Sequence, residues 1–176
     1  GYENKKPIVI QAHIDMVCEK RPEVKHDFRK DPIKLVLEGD ILSTGNRTTL
    51  GADDGIGVAM AMAVLEDKTL KHPPVDVILT TAEEEDMSGA LSVDKSWFNT
   101  NRVINIDHVV DTEIIAGSCG GIGVDLKFPI EYTKKTDNYK GYKIKISGLR
   151  GGHSGEDIHK GIANANVLLA NLLNLL

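Results

Sequence analysis

The sequence lacks the features that would place it in a membrane, a secretory pathway or a nucleic-acid complex. No apolar run approaches the roughly 20 residues of a membrane-spanning helix, and the N-terminus lacks the apolar core of a signal peptide. Two cysteines, Cys18 and Cys119, lie far apart in the sequence, so they form neither a disulfide framework nor a CxxC metal site. The net charge of -5 gives no basic surface for nucleic acid or membrane. We therefore expect a protein of the reducing cytoplasm.

What remains is an ordinary globular composition. The chain has 176 residues, of which 41% are hydrophobic and 27% charged. This length suits one domain, or one domain and part of another. The sequence begins without Met and ends on a leucine-rich stretch with no helix stop signal. We therefore expect it to be a piece of a longer protein.

Strands and helices alternate over residues 1–120, which is typical of an α/β domain with a mostly parallel sheet flanked by helices. Strands are predicted at residues 7–12, 75–80 and 102–106, with a hairpin at residues 34–42. Helices are predicted at residues 58–65, which are apolar on all sides and therefore expected to be buried, and at residues 90–98.

A second domain is predicted at residues 121–176. Two strands, at residues 124–132 and 139–146, precede a glycine-rich turn at residues 151–155 and a long helix from about Glu156. Two strands followed by a helix indicate the start of an α+β domain.

A histidine and an aspartate follow the first predicted strand. In extended chain, residues two apart point to the same side, so His13 and Asp15 can face one site together. A carboxylate beside an imidazole fixes its tautomer and raises its basicity, as around histidine metal ligands. A strand-end pair without a metal is the alternative.

Two adjacent aspartates, Asp53 and Asp54, lie on the glycine-rich turn at residues 51–57, directly before a predicted helix. Glycine lets the backbone turn sharply and approach a ligand. A phosphate loop would have a Lys-Ser/Thr pair after the last glycine, and two carboxylates would repel phosphate. The turn therefore favours a cation, with a capped turn as the structural alternative.

Further acids follow the other two predicted strands. The run at residues 83–86 comes soon after one strand, and Asp107 directly follows the other. Acidic runs are most often solvated surface, but sites in open α/β sheets form outside the carboxyl ends of the strands. One histidine and several carboxylates suit Zn²⁺, Mn²⁺ or Co²⁺, and one carboxylate can bridge two such ions.

Five motifs in order carry a family resemblance. They lie at residues 11–17, 49–57, 83–87, 105–107 and 148–155. With them the chain resembles the zinc-dependent exopeptidases, which include peptidase T, carboxypeptidase G2 and acylase-type deacetylases, and within this family the dipeptidase branch. The resemblance implies an incomplete catalytic domain followed by the start of a lid domain. It also implies two Zn²⁺ ions, hydrolysis of Xaa-His and other dipeptides, and a homodimer at full length.

The same resemblance implies metal ligands residue by residue. His13, Asp53 and Asp107 are expected to bind the first metal ion. Asp53 is expected to bridge to the second ion, which Glu84 also binds. The family has a cis peptide bond after the bridging aspartate, which is expected here between Asp53 and Asp54.

The resemblance also implies catalytic roles. Glu83 is expected to be the general base, and Asp15 the acid that orients His13. Relatives often have Ala-Gly after the glutamate pair, where this chain has Glu85 and Asp86. A register shifted by one residue, with Glu84 and Glu85 as the pair, therefore stays open.

His153 lies in the glycine-rich turn of the second domain. The resemblance implies that it contacts the substrate near the carbonyl oxygen, often across a dimer, where an imidazole stabilises a developing oxyanion. The structural alternative is a turn before a helix, with Ser154 as N-cap and Asp157 three residues later.

Relatives have one further zinc-binding histidine near their C-terminus, and no residue of this sequence matches it. We therefore expect this chain to bind the first metal ion better than the second and to be inactive or nearly so. Two alternative functions stay open, namely a deacylase or aminoacylase with the same metals, and a non-catalytic module that has kept the fold.

Overall fold

The computed structural model describes residues 1–118, 120, 122–134, 138, 140–153, 155 and 157–175. The chain divides into two compact units, residues 1–118 and 119–176. None of the helices in the described ranges combines the length and apolar character needed to cross a membrane.

The first unit is built on a parallel sheet. The unit has five strands, β1 (Ile8–His13), β2 (Val36–Glu38), β3 (Ile41–Ser43), β4 (Val75–Thr80) and β5 (Val103–Asn105), of which three form this sheet. The apolar strand β1 lies between β4 and β5 and runs parallel to both, with His13 paired to Thr80 and Gln11 to Asn105. Strands β2 and β3 form the predicted antiparallel hairpin. The predicted α/β class with a mostly parallel sheet is confirmed.

Helix α1 (Ala52–Glu66) packs on β1 and β4. The prediction that this segment is fully buried is wrong. Only Asp54, Gly57 and Ala61 are buried along the helix, whereas Ile56 and Met62 are more than half exposed. The sheet covers only one side of the helix. Among the described residues nothing covers the other side, so its apolar side chains stay exposed.

The predicted helix at residues 90–98 is also wrong, because the segment forms two short pieces. These are α2 (Ser88–Leu91) and a 3₁₀ turn, Lys95–Trp97. Asp94 interrupts them with an extended backbone, and its carboxylate accepts a hydrogen bond from the backbone N–H of Ser96 at 2.8 Å. Aspartate favours such caps over helix interiors because its side chain competes for backbone groups.

The core of the first unit is small and partly polar. Among the described residues, its buried apolar side chains are Val9, Ile10, Ala12 and Ala61. Four polar residues are equally buried, namely His13, Thr44, Asp54 and Thr80. Three of these lie around the carboxyl end of β1 and the start of α1, so polar burial is concentrated where the sequence predicts a site.

The second unit does not contain the predicted strand at residues 124–132. These residues are all described, and none pairs with another strand. Their alternation of apolar and polar residues fits a strand, but a strand forms only where a neighbour completes its hydrogen bonds. Tyr139 lies outside the described residues, and residues 140–146 also form no strand.

The predicted long helix forms two pieces, a 3₁₀ turn (Ile158–Lys160) and helix α3 (Ala165–Leu173). Gly161 separates them with a φ of 63°, and the Asn164 side chain then caps α3 by accepting from the N–H of Asn166 at 2.9 Å. The predicted start at Glu156 and the predicted Ser154 cap lie outside the described residues. The assignment of residues 1–120 to a catalytic domain and 121–176 to a lid stays a prediction.

Candidate metal centre

Acidic side chains from three segments converge on one buried histidine. His13 ends β1 and is only 1% exposed. Its Nε2 lies 3.1 Å from Asp53 Oδ1, 3.9 Å from Glu83 Oε2 and 3.9 Å from Asp107 Oδ2. The carboxyl ends of parallel strands meet at one sheet edge, which explains how residues so distant in sequence come together.

The ligand atoms form two groups that share His13. One group contains His13, Asp53 and Glu84, and the other contains His13, Glu83 and Asp107; within each, the ligand atoms lie within 4.8 Å of one another. Glu85 belongs to neither group. Every side chain that the sequence suggested as a metal ligand therefore lies at this centre, together with the suggested base.

The contacts of the imidazole leave its Nε2 available for a metal ion. The backbone carbonyl oxygen of Asp15 lies 3.0 Å from Nδ1, and a carbonyl only accepts, so Nδ1 carries the proton. In the neutral ring Nε2 then has a lone pair, yet it faces carboxylate oxygens of Asp53, Glu83 and Asp107. Lone pairs and carboxylates gathered at one point require either an extra proton or a cation. The donor set therefore fits a metal ion.

The neighbouring carboxylates contribute to raised pKa values at three groups of this centre. Burial lowers the pKa of His13, but the hydrogen bond with Asp53 and the charges of Asp107 and Glu83 outweigh it and raise the pKa overall. Burial raises the pKa of Glu83, and the neighbouring carboxylates Asp107 and Glu84 raise it further. Burial and the charge of Asp53 likewise raise the pKa of Asp107. A bound cation would relieve this repulsion.

Asp15 connects the histidine to the acidic turn. Its Oδ1 lies 3.5 Å from His13 Nδ1. Its two carboxylate oxygens accept hydrogen bonds from the backbone N–H groups of Glu83 and Glu84, at 3.2 and 3.1 Å. Burial raises the pKa of Asp15, but these two hydrogen bonds lower it below the ordinary value. Asp15 therefore holds the Glu83–Glu84 backbone beside the imidazole as well as contacting the ring.

The peptide bond between Asp53 and Asp54 is cis, which confirms the expectation drawn from the resemblance. Asp54 itself has a structural role that the sequence did not reveal. Its buried carboxylate accepts from the backbone N–H of His13 and of Gly57, both at 3.2 Å. It thereby ties the start of α1 to the end of β1.

A ladder of polar side chains across the three strands was also not predicted. Asn105 Nδ2 donates to Gln11 Oε1 at 2.6 Å, and Gln11 Nε2 donates to Thr80 Oγ1 at 3.0 Å. Gln11 and Asn105 each lie two residues before a candidate ligand, His13 or Asp107, so each shares its side of the strand. Polar residues at that spacing in otherwise apolar strands were the available signal.

His153 lies in the second unit. Its backbone N–H donates to Asp157 Oδ2 at 2.7 Å, and its Nδ1 accepts from the N–H of Gly155 at 3.1 Å. These contacts define the local turn, and the contact of His153 with substrate stays a prediction.

Comparison with known proteins gives two consistent relatives, although no protein-family model matches the chain. The chain is 42% identical to the cytosol non-specific dipeptidase of Escherichia coli over 173 residues, which are 98% of this chain and 36% of the relative. A solved structure, the aminoacylhistidine dipeptidase of Vibrio alginolyticus, matches 98% of this chain and 35% of its own, with 33% identity and a TM-score of 0.58. A shorter match of 72 residues, 36% identical, is to the Bacillus subtilis protein YqjE and covers 39% of this chain and 19% of that protein.

The chain spans about a third of the length of the two dipeptidases it matches. Its sequence similarity extends over nearly all of its residues, and its fold matches that of the Vibrio alginolyticus dipeptidase. By sequence and by fold, the chain is similar to about a third of a cytosol non-specific or aminoacylhistidine dipeptidase.

Proposed function

We propose that this chain supplies most of the metal centre of a dipeptidase that hydrolyses Xaa-His and other dipeptides in the cytoplasm. The observation that carries the proposal is the position of His13 Nε2, which lacks a proton in the neutral ring and faces three carboxylates within 3.9 Å. The names of the two dipeptidase relatives support the substrate class, and the word cytosol in one name supports the compartment.

Zinc is the metal that we propose, because the ligands are one imidazole and several carboxylates and the separations suit it. Two ligands of a tetrahedral zinc ion, each about 2.1 Å from the metal, lie about 3.4 Å apart. The distances of 3.1 and 3.9 Å from His13 Nε2 to Asp53 and Asp107 bracket this value. As the resemblance implies, His13, Asp53 and Asp107 would hold one ion, and Asp53 and Glu84 would hold the other. The two atom groups of the structure instead share His13 and place Asp107 with Glu83.

Glu83 is the proposed general base. When bound, the metal pair supplies acidification of a water molecule and polarisation of the peptide carbonyl. Glu83 takes the proton from the attacking water and delivers it to the leaving amine. Its carboxylate lies 3.9 Å from His13 Nε2, which places it beside the metal ligands and within reach of a water molecule held there.

Asp15 is proposed as a positioning residue for both His13 and Glu83. Its contact with the imidazole and its hydrogen bonds to the acidic turn fix the base relative to the metal ligand. His153 is proposed to bind the substrate near its carbonyl oxygen, and the active form is proposed to be a homodimer. The resemblance supports both of these statements.

The test compares Glu83→Gln with the control Glu85→Gln, which changes the same charge two residues away, outside both ligand groups. The variants are made in a form of the protein long enough to supply every metal ligand. Glu83→Gln is expected to keep metal binding and to hydrolyse Xaa-His dipeptides at least a hundredfold more slowly. A general base typically contributes a factor of about 10² to 10⁴ to the rate. Glu85→Gln is expected to retain turnover.

Unchanged turnover in Glu83→Gln would remove Glu83 from its proposed role. A parallel panel of N-acyl amino acids separates the dipeptidase from the deacylase alternative, because a deacylase would prefer those substrates. The chain of 176 residues alone is expected to hydrolyse dipeptides slowly or not at all, and robust hydrolysis by it would contradict that expectation.

A further inference from the structure

A second candidate binding site lies in the first unit, in the segment that connects β1 to α1. A cavity of about 260 Å³ opens between residues 25–34 and the turn that follows β3. Pockets for drug-sized ligands measure roughly 300–1,000 Å³, so this cavity suits a smaller molecule. None of the residues at the metal centre lines it.

The cavity is positively charged although the protein is acidic. Lys25, Lys34 and Arg47 line it together with a single acid, Asp31. The carboxylate of Asp31 accepts a hydrogen bond from the backbone N–H of Asp27 at 2.8 Å, so it serves the loop itself. Within the described ranges, no carboxylate forms an ion pair with any of the three cations. None of the three positive charges is therefore neutralised by an ion pair, and Asp31 offsets only one of them.

His26 forms part of the wall of the cavity. Its ring packs edge-on against Phe28, with ring centroids 4.5 Å apart. Among the described residues, its Nε2 is a buried side-chain atom without a hydrogen-bond partner. Because this atom is enclosed by the protein, His26 shapes the wall, and the exposed cations are the groups that can reach a ligand.

A neighbouring cavity of about 540 Å³ shares His26 but differs in charge. Its lining contains two cations, Lys20 and Arg29, and two acids, Glu19 and Asp27. Lys20 already donates to the backbone carbonyl of His26 at 2.6 Å. Of the two cavities, only the smaller one therefore has an excess of positive charge in its lining.

We propose that the smaller cavity binds a small ligand through a phosphate group, with Arg47 donating hydrogen bonds, Lys25 and Lys34 balancing charge and His26 in the wall beside the ligand. Three cations against one acid give the lining an excess of two positive charges, which matches a phosphate dianion better than a carboxylate. Arginine and lysine are the side chains that bind phosphate oxygens most effectively.

The test is a calorimetric titration of this chain with inorganic phosphate at constant ionic strength. Arg47→Gln is expected to raise the Kd about tenfold or more, because it removes a charge-assisted hydrogen bond. Lys30→Gln is the matched control. It removes one positive charge from the same loop, at a side chain that is 80% exposed and does not line the cavity. It is expected to leave the Kd within twofold.

Asp107→Asn distinguishes this cavity from the metal centre, and it is expected to bind phosphate as the unaltered chain does. The His26 imidazole supplies a second measurement that needs no substitution, since its ring NMR signals are expected to shift when phosphate is added. The proposal is overturned if the unaltered chain does not bind phosphate or if the His26 signals stay fixed. Equal weakening in Arg47→Gln and Lys30→Gln, or loss of binding in Asp107→Asn, overturns it as well.

Discussion

Replacing Gly57 with alanine is expected to destabilise the first unit and to weaken metal binding. Gly57 is buried in α1, against the backbone of Ile106, which directly follows β5, and against the Asp54 side chain. An added Cβ would lie 2.6 Å from the backbone carbonyl oxygen of Ile106 and 2.7 Å from Asp54 Oδ2. Neither neighbour can yield freely, because one is backbone and the other accepts the hydrogen bond from His13 N–H.

The magnitude follows from two opposing effects. Alanine in a helix interior is favoured over glycine by about 0.5–1 kcal/mol, whereas overpacking a core costs about 1–3 kcal/mol. We expect a net loss of about 1–2 kcal/mol in the free energy of unfolding, which lowers Tm by roughly 2–8 °C for a chain of this size. Metal affinity is expected to fall too, because displacing Asp54 moves the backbone of His13.

Gly55→Ala is the matched control in the same helix. A Cβ at Gly55 meets no atom within 4 Å, so this substitution is expected to raise stability by about 0.5–1 kcal/mol. Urea unfolding followed by circular dichroism measures both variants. The packing argument is refuted if Gly57→Ala is as stable as the unaltered chain or more stable, or if both variants change in the same direction.

Three further predictions concern the metal centre and the second unit. Asp15→Asn is expected to weaken metal binding about 10- to 100-fold in a chelator competition, because one acceptor for the Glu83 and Glu84 N–H groups is lost; equal affinity would contradict its positioning role. A proton and a metal ion compete for His13 Nε2, and the pKa of His13 is raised. Metal affinity is therefore expected to be full above that raised pKa and to fall as the pH drops through it; a flat profile would argue against His13 as a ligand. Asn164→Ala is expected to cost about 1 kcal/mol of helix stability by removing the cap of α3, and unchanged helicity by circular dichroism would contradict this.

The sheet of the first unit could be predicted because its signals are local. The runs that became β1, β4 and β5 are mostly apolar and end at polar residues, which predicts parallel strands, although only the central β1 is largely buried. The segment at residues 124–132 alternates apolar and polar residues, which also predicts a strand, but it forms none among the described residues. Strand formation there depends on a partner, which no local pattern specifies.

The candidate site was predicted in its residue types but not in its supporting contacts. Acids and a histidine at strand ends, together with the family motifs, indicated His13, Asp53 and Asp107. The hydrogen bonds that hold them join residues far apart in sequence, as between Asp54 and the N–H of His13 or between Asp15 and the acidic turn. Such pairings depend on the register of the strands and on the start of α1, so they become visible only in the folded chain.

The most direct test of the metal centre is X-ray absorption at the zinc edge, on the chain loaded with one equivalent of Zn²⁺. The account predicts a shell of nitrogen and oxygen ligands at about 2.0–2.2 Å, with the scattering pattern of one imidazole from His13 and no sulfur. A sulfur ligand at about 2.3 Å, which the exposed Cys18 would supply, or a shell without imidazole would contradict it.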